Sequence, residues 1–95
     1  MSRGRTDANQ QEIINELRKI GCSVFDASQF GNGFTDLVVG RAGVNWLMEV
    51  KDGSKPLSAQ ALTKDQKKFH DEWRGQKAVV RSAEEAIAIV LEYAR

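Results

Sequence analysis

The chain has 95 residues, of which 41% are hydrophobic and 28% charged, the balance of an ordinary globular domain rather than a disordered or collagen-like one. A chain of this length forms one compact unit that hides roughly two-thirds of its unfolded surface. Lys and Arg number 14 against 13 Asp and Glu, for a net charge of +1. The single cysteine, Cys22, excludes an internal disulfide and a cysteine-built zinc site.

No apolar run reaches the length of a membrane span and no secretion signal is read, so a cytoplasmic protein without a membrane partner is expected, bacterial or in the host cell of a virus. Charge is uneven along the chain. Residues 51–81 carry 8 basic and 4 acidic side chains, which suits a polyanionic partner and equally suits a solvated helix face.

In chain order, residues 1–5 read as a loose basic arm ahead of a single domain at 6–95. Thr6 is placed to cap a helix running to about residue 20, with Gly21 as its stop. Ile13, Ile14, Leu17 and Ile20 form one stripe at helical spacing. Residues 22–27 read as a strand, followed by the glycine-containing loop 28–33; strand 34–41 turns at Ala42-Gly43 into strand 44–51. Residues 52–61 hold the only proline and read as an exposed loop. Thr63 and Gln66 have capping-box spacing for a second helix that closes at Gly75, with Leu62, Phe69 and Trp73 on its inward face. A short strand follows at 77–81. Ser82 and Glu85 then cap a last helix striped by Ala86, Ile87, Val90, Leu91 and Ala94. The order αβββαβα predicts an α/β domain with a central mixed sheet flanked by helices.

The informative charges lie in the middle hairpin. Alternation puts Trp46, Met48 and Val50 on one face of its second strand, and Leu47, Glu49 and Lys51 on the other. Both hairpin strands look apolar on each side, so charges at their ends need partners. A two-residue turn at Ala42-Gly43 sets Asp36 opposite Glu49, at roughly 5 Å between Cβ atoms. A longer loop would slide that pairing, and Ala42 is not a natural first residue for a tight turn. Two carboxylates so close repel, and a divalent cation such as Mg²⁺ between them would relieve the repulsion through hard oxygen ligands. Lys51 projects from the same face about 6 to 7 Å along the strand. Its ammonium can hold an attacking water or neutralise charge on a phosphate, completing an apparatus for metal-assisted phosphodiester hydrolysis. The plainer alternative is an ion pair of Lys51 with Asp36 or Glu49 on an edge strand.

Two amides point toward the same sheet. Gln10 lies about 30° from the centre of the first helix's apolar stripe, whereas Glu12 lies about 130° away and should face solvent. Gln66 lies within about 40° of the second helix's inward face. Their bland readings are a helix-end amide and a capping-box partner. His70, beside aromatics, reads as a packed side chain more readily than as a base. Trp46 and Trp73 read as core, and Cys22 as a buried strand residue.

Gly33-Phe34-Thr35-Asp36-Leu37, Met48-Glu49-Val50-Lys51 and Leu62-Thr63-Lys64-Asp65-Gln66 together resemble the PD-(D/E)xK nuclease superfamily. The likeness is nearest to its small stand-alone VRR-NUC domains, which are similar to Holliday junction resolvases, and it spans residues 7–95. The resemblance implies a restriction-endonuclease-like fold and a Mg²⁺- or Mn²⁺-dependent DNA endonuclease. It makes Asp36, Glu49 and the Val50 carbonyl metal ligands, Lys51 the residue that positions the nucleophilic water, and Gln66 a further catalytic-site residue, with Gln10 supporting. Thr35 stands where the family has proline, and Gln10 removes a possible third acid. Branched DNA such as a four-way junction is the implied substrate, cut by a homodimer. Arg3, Arg5, Ser28, Lys55, Lys64 and Lys67, with Lys68, are the candidate DNA contacts, solvation being the alternative for the lysines. The rival readings are a non-catalytic nucleic-acid-binding protein on this fold, and a subunit active only within a larger replication or repair assembly.

Overall fold

The isoleucine and leucine stripe folds as helix α1 (Gln10–Lys19), burying Ile13, Ile14 and Leu17 together with Gln10. The structure, a computed structural model, describes residues 7–92; the basic arm with Arg3 and Arg5, the Thr6 cap and Ala94 lie outside them. The helix starts later than its sequence signal, after Asn9. The Asn9 side chain does not cap it: its Nδ2 donates to the Lys51 and Arg81 carbonyls at 3.2 and 3.0 Å, and its Oδ1 receives no donor. Gly21 ends the turn after the helix with φ +94°, a left-handed conformation open to glycine.

Four strands follow: β1 (Ser23–Asp26), β2 (Leu37–Arg41), β3 (Val44–Val50) and β4 (Lys77–Val80), in spatial order β1-β2-β3-β4. The first two pairings are antiparallel and β3–β4 is parallel. Ala42 and Gly43 both take positive φ, 52° and 81°, as the type I′ turn that matches strand twist requires. The hairpin register is therefore that of a two-residue turn, with Arg41 opposite Val44 and Leu37 opposite Met48. Ladder pairing stops there, and Asp36 stands one residue before β2 rather than within a strand beginning at residue 34.

One sheet face carries Leu37, Val39, Trp46, Met48, Val50 and Val80 against Ile13, Ile14 and Leu17 of α1 and Ala83, Ala86 and Val90 of α4 (Ala83–Glu92). Burying each large apolar side chain there stabilises the fold by roughly 1.5–3 kcal/mol. The stripe of α4 is rotated from the expected one: Ala83 is buried and Leu91 is 43% exposed. Its start is capped as expected, with Glu85 N donating to Ser82 Oγ at 3.1 Å.

The parallel step from β3 to β4 needs a crossover, supplied by α2 (Leu57–Gln60) and α3 (Lys64–Glu72). The segment expected as a plain loop thus contains a helical turn, launched by Pro56 at φ −57°, an angle already suited to a helix. Gln60 inside it is buried, clasping the Lys55 carbonyl at 2.6 Å and accepting from Arg81 Nε at 2.9 Å. The α3 capping box forms as read, but the helix stops at Glu72 because Trp73 turns extended. Its buried side chain is His70, whereas Trp73 is 41% exposed and not core. The chain is thus a single α/β domain with a four-stranded mixed sheet. Among the described residues no helix is long and apolar enough to cross a membrane.

Candidate active site

The sheet face away from α1 and α4 presents Leu47, Glu49 and Lys51, as alternation along β3 dictates. Glu49 is 1% exposed and Lys51 8%. Both sit where β3 ends between β2 and β4, and Lys51 N still donates to the Val80 carbonyl at 2.9 Å.

The loop before β2 brings in Asp36. Gly31, Asn32 and Gly33 all have positive φ. A Cβ on Gly33 would lie 2.5 Å from the Asp65 carbonyl oxygen, so only glycine lets the loop rest on the first turn of α3. The buried Thr35 follows, and Asp36 then points its carboxylate at the end of β3, where Oδ2 accepts from Val50 N at 2.8 Å. In this structure Val50 therefore touches the acid through its amide, while its side chain lies in the core.

Gln66 fills both of the roles that sequence left open. Its Oε1 accepts from Thr63 N at 3.0 Å, completing the capping box, and from Lys51 Nζ at 2.9 Å. Its Nε2 donates to Glu49 Oε2 at 2.8 Å. One amide thus holds the lysine and the glutamate together, with Lys51 Nζ 3.9 Å from Glu49 Oε2. The other oxygen of Glu49, Oε1, is buried and receives no donor.

Electrostatics follows from this geometry. Burial, followed by the charge of Asp36 and the hydrogen bond between the two carboxyls, pushes Glu49 up from 4.5 to about 9. Burial also raises Asp36, although its bonds to Glu49 and Val50 oppose that rise. Like charges that cannot both shed their protons in a low-dielectric site share one between them. The chemistry of the set fits a small hard cation: two buried carboxyls that, once ionised, have only each other at the oxygen of Glu49 that receives no donor are the share of ligands that Mg²⁺ commonly takes from protein while keeping several waters. Among the described residues no group of three or more His, Cys, Asp or Glu side chains is placed to hold a metal ion.

The other expected residues fall around this centre or away from it. Gln10 is buried as read, but its Nε2 donates to Asp26 Oδ1 at 3.3 Å and its Oε1 has no partner. Its hydrogen bond thus goes to the end of β1 rather than to the acid pair. Ser28 bonds Asp26 Oδ1 through its amide and hydroxyl at 2.9 and 2.6 Å, which shapes the loop. Lys55, Lys64, Lys67 and Lys68 are exposed, and Lys67 pairs with Asp71 at 3.1 Å. The buried His70 has an unpartnered Nε2, and burial with the nearby Lys77 lowers its pKa. Glu12 faces solvent as expected.

Asp7 was missed by sequence reasoning. Its charge raises both Asp36 and Glu49, which places an acid near the pair from the segment entering α1. The available signal was an acid one turn ahead of the inward-facing Gln10. A cavity of about 680 Å³ opens between the starts of α1 and α4 and the 52–54 loop, and the acid pair does not line it. No family model, no characterised protein and no solved structure matches the chain.

Proposed function

We propose that this chain is a metal-dependent DNA endonuclease of the PD-(D/E)xK kind, on a restriction-endonuclease-like fold. The observation that carries the reading is the buried Asp36–Glu49 pair, with Glu49 Oε1 lacking any donor, beside a lysine held by Gln66. A purely structural ion pair would not need the second carboxylate, whose repulsion the fold must bear. The succession of helices and strands, and the hairpin that sets Asp36 beside the end of β3, also support it.

Asp36 and Glu49 are the residues that would hold Mg²⁺ or Mn²⁺. Such an ion supplies Lewis-acid polarisation of a phosphate oxygen and offsets negative charge as the phosphodiester is attacked. Lys51 Nζ, fixed by Gln66, orients water and stabilises charge developing on the phosphate from a position that costs no reorganisation during reaction. Gln66 is the positioning residue, since it fixes Lys51 and Glu49 at once. To hold such a cation, Asp36 and Glu49 would have to give up the proton they share. Selection by DNA shape and backbone contacts is the proposed mode of recognition. Branched DNA is the proposed substrate, and a symmetric homodimer matches the two equivalent strands of a four-way junction.

The test is incubation of the purified chain with labelled junction, flap and linear DNA in Mg²⁺, Mn²⁺ or EDTA. Metal-dependent cutting that disappears in Asp36→Ala and Lys51→Ala is the expected result; cutting that persists in both would place the activity elsewhere. A second reading, a non-catalytic nucleic-acid-binding protein on the same fold, is favoured by the lack of a three-ligand cluster among the described residues. DNA binding with no cutting under any metal condition would select it.

A further inference from the structure

Lys51 stands one residue past the end of β3, where the sheet stops holding the chain. Its amide still donates to the Val80 carbonyl at 2.9 Å. In a parallel ladder the Lys51 carbonyl would next accept from residue 82. At Ser82, however, the chain turns away into α4, which Ser82 caps. A side chain from another element takes the place of that rung. Asn9, immediately before α1, donates its Nδ2 to the Lys51 carbonyl at 3.2 Å and to the Arg81 carbonyl at 3.0 Å. Two carbonyl oxygens around one terminal atom require the nitrogen there, so the partners fix the orientation of the amide.

This use of Asn9 runs against local preference. An asparagine before a helix ordinarily caps it, its side-chain oxygen accepting from an N–H of the first turn. Here no such bond forms, and Oδ1 is buried without a donor, which costs stability. Broken local rules of this kind concentrate where a fold serves a site. What the amide touches instead is the main chain of the lysine beside the acid pair. The tip of Lys51 is held from the other direction: Nζ donates to Gln66 Oε1 at 2.9 Å and lies 3.9 Å from Glu49 Oε2. Gln66 thus restrains the end of the side chain and Asn9 its root. The bridge also reaches the crossover that carries Gln66, because Arg81 Nε donates to Gln60 Oε1 at 2.9 Å and Gln60 Nε2 to the Lys55 carbonyl at 2.6 Å.

We propose that Asn9 is a second positioning residue for Lys51, its amide fixing the backbone from which the ammonium is presented to Glu49. The placement of Lys51 is a property of the fold, and its effect on phosphodiester cleavage rests on the function proposed above. A small displacement of a group that must meet a phosphate costs rate far more than it costs binding.

The test uses Asn9→Ser and Asn9→Asp in the full chain. Serine and aspartate cap a helix as well as asparagine does. Serine has one short O–H and aspartate no donor, so neither can bridge two carbonyls, and each variant loses the bridge while leaving α1 a cap. Acetic anhydride labelling, read by mass spectrometry, compares the buried Lys51 with the exposed Lys64. Labelling of Lys51 relative to Lys64 should rise several-fold in both variants. Single-turnover cleavage of labelled DNA in Mg²⁺ should slow by about 10- to 100-fold, with DNA affinity in EDTA unchanged. Unchanged labelling of Lys51, or an unchanged cleavage rate, in both variants overturns the proposal. So does reactivity of the buried Cys22 toward a thiol reagent rising in step with Lys51, since Asn9 would then hold the whole fold rather than the lysine. Labelling of Lys51 that rises alone, in a chain whose wild type cuts no DNA, would leave the placement standing and overturn the nuclease reading instead.

Discussion

Replacing Glu49 with glutamine should stabilise the protein in the absence of metal, and by an amount that grows with pH. The carboxyl of Glu49 titrates near 4.5 ordinarily and is pushed up to about 9 in the fold. An acid raised in this way binds its proton more tightly folded than unfolded, so its contribution is fully present below the unfolded value. It is then lost as pH rises toward the folded one. Each pH unit between the two values costs about 1.4 kcal/mol per proton. From about pH 4.5 to about pH 7.5 the wild-type chain therefore loses ~4 kcal/mol, reduced to about 2–4 because Asp36 shares the proton. That is a large part of the total stability of a small domain, which is about 5–15 kcal/mol. Glutamine needs no proton. Its amide can donate to Asp36 as the protonated acid does, while its oxygen still accepts from Gln66 Nε2. Urea denaturation in EDTA across this pH range should give curves that coincide near pH 5 and separate above about pH 6, with Glu49→Gln the more stable. Mg²⁺ should narrow the gap by stabilising only the wild type. Parallel pH profiles, or a less stable Glu49→Gln at about pH 8, would refute the account of the acid pair.

Other expectations follow from the same geometry. Gly33→Ala places a Cβ 2.5 Å from the Asp65 carbonyl at φ +81°; it should cost about 1–3 kcal/mol and lower cleavage by shifting the start of α3, both readable by thermal denaturation and DNA cutting. Gln66→Ala removes the bonds to Glu49, Lys51 and Thr63 and should cost about 1–3 kcal/mol together with most of the cleavage rate; normal cutting would show that Lys51 needs no such support. Lys51→Ala should lower the single-turnover rate by about 100-fold or more while calorimetric Mg²⁺ binding persists, and a loss of metal binding instead would recast Lys51 as part of the ion's site. Asp7→Asn removes a charge that raises both acids, so the folded pair should give up its proton at lower pH and the loss of stability with rising pH should end earlier and total less than in the wild type, measured by the same denaturation series; an unchanged profile would place Asp7 too far away to matter.

Much of the site was readable in one dimension because strands translate local sequence directly into faces. Period-two alternation put Glu49 and Lys51 together and away from Met48 and Val50. The tight Ala42-Gly43 turn brought Asp36 to the end of β3, despite the cost to Ala42 of a positive φ. Helical periodicity likewise buried Gln10 and turned Glu12 outward. These are relations between near neighbours, where sterics and hydrogen-bond geometry leave few options. Long-range packing chose the rest. Whether Gln66 caps its helix or serves the acid pair could not be separated along the chain, because the choice depends on how α3 lies over β3; there the amide does both. His70 replaced Trp73 as the buried residue of α3 because the helix broke before the tryptophan could turn inward. The approach of Asp7, the clasp made by Gln60 and the bridge from Asn9 to Lys51 each join residues distant in sequence, and only the folded arrangement of sheet and crossover brings them together.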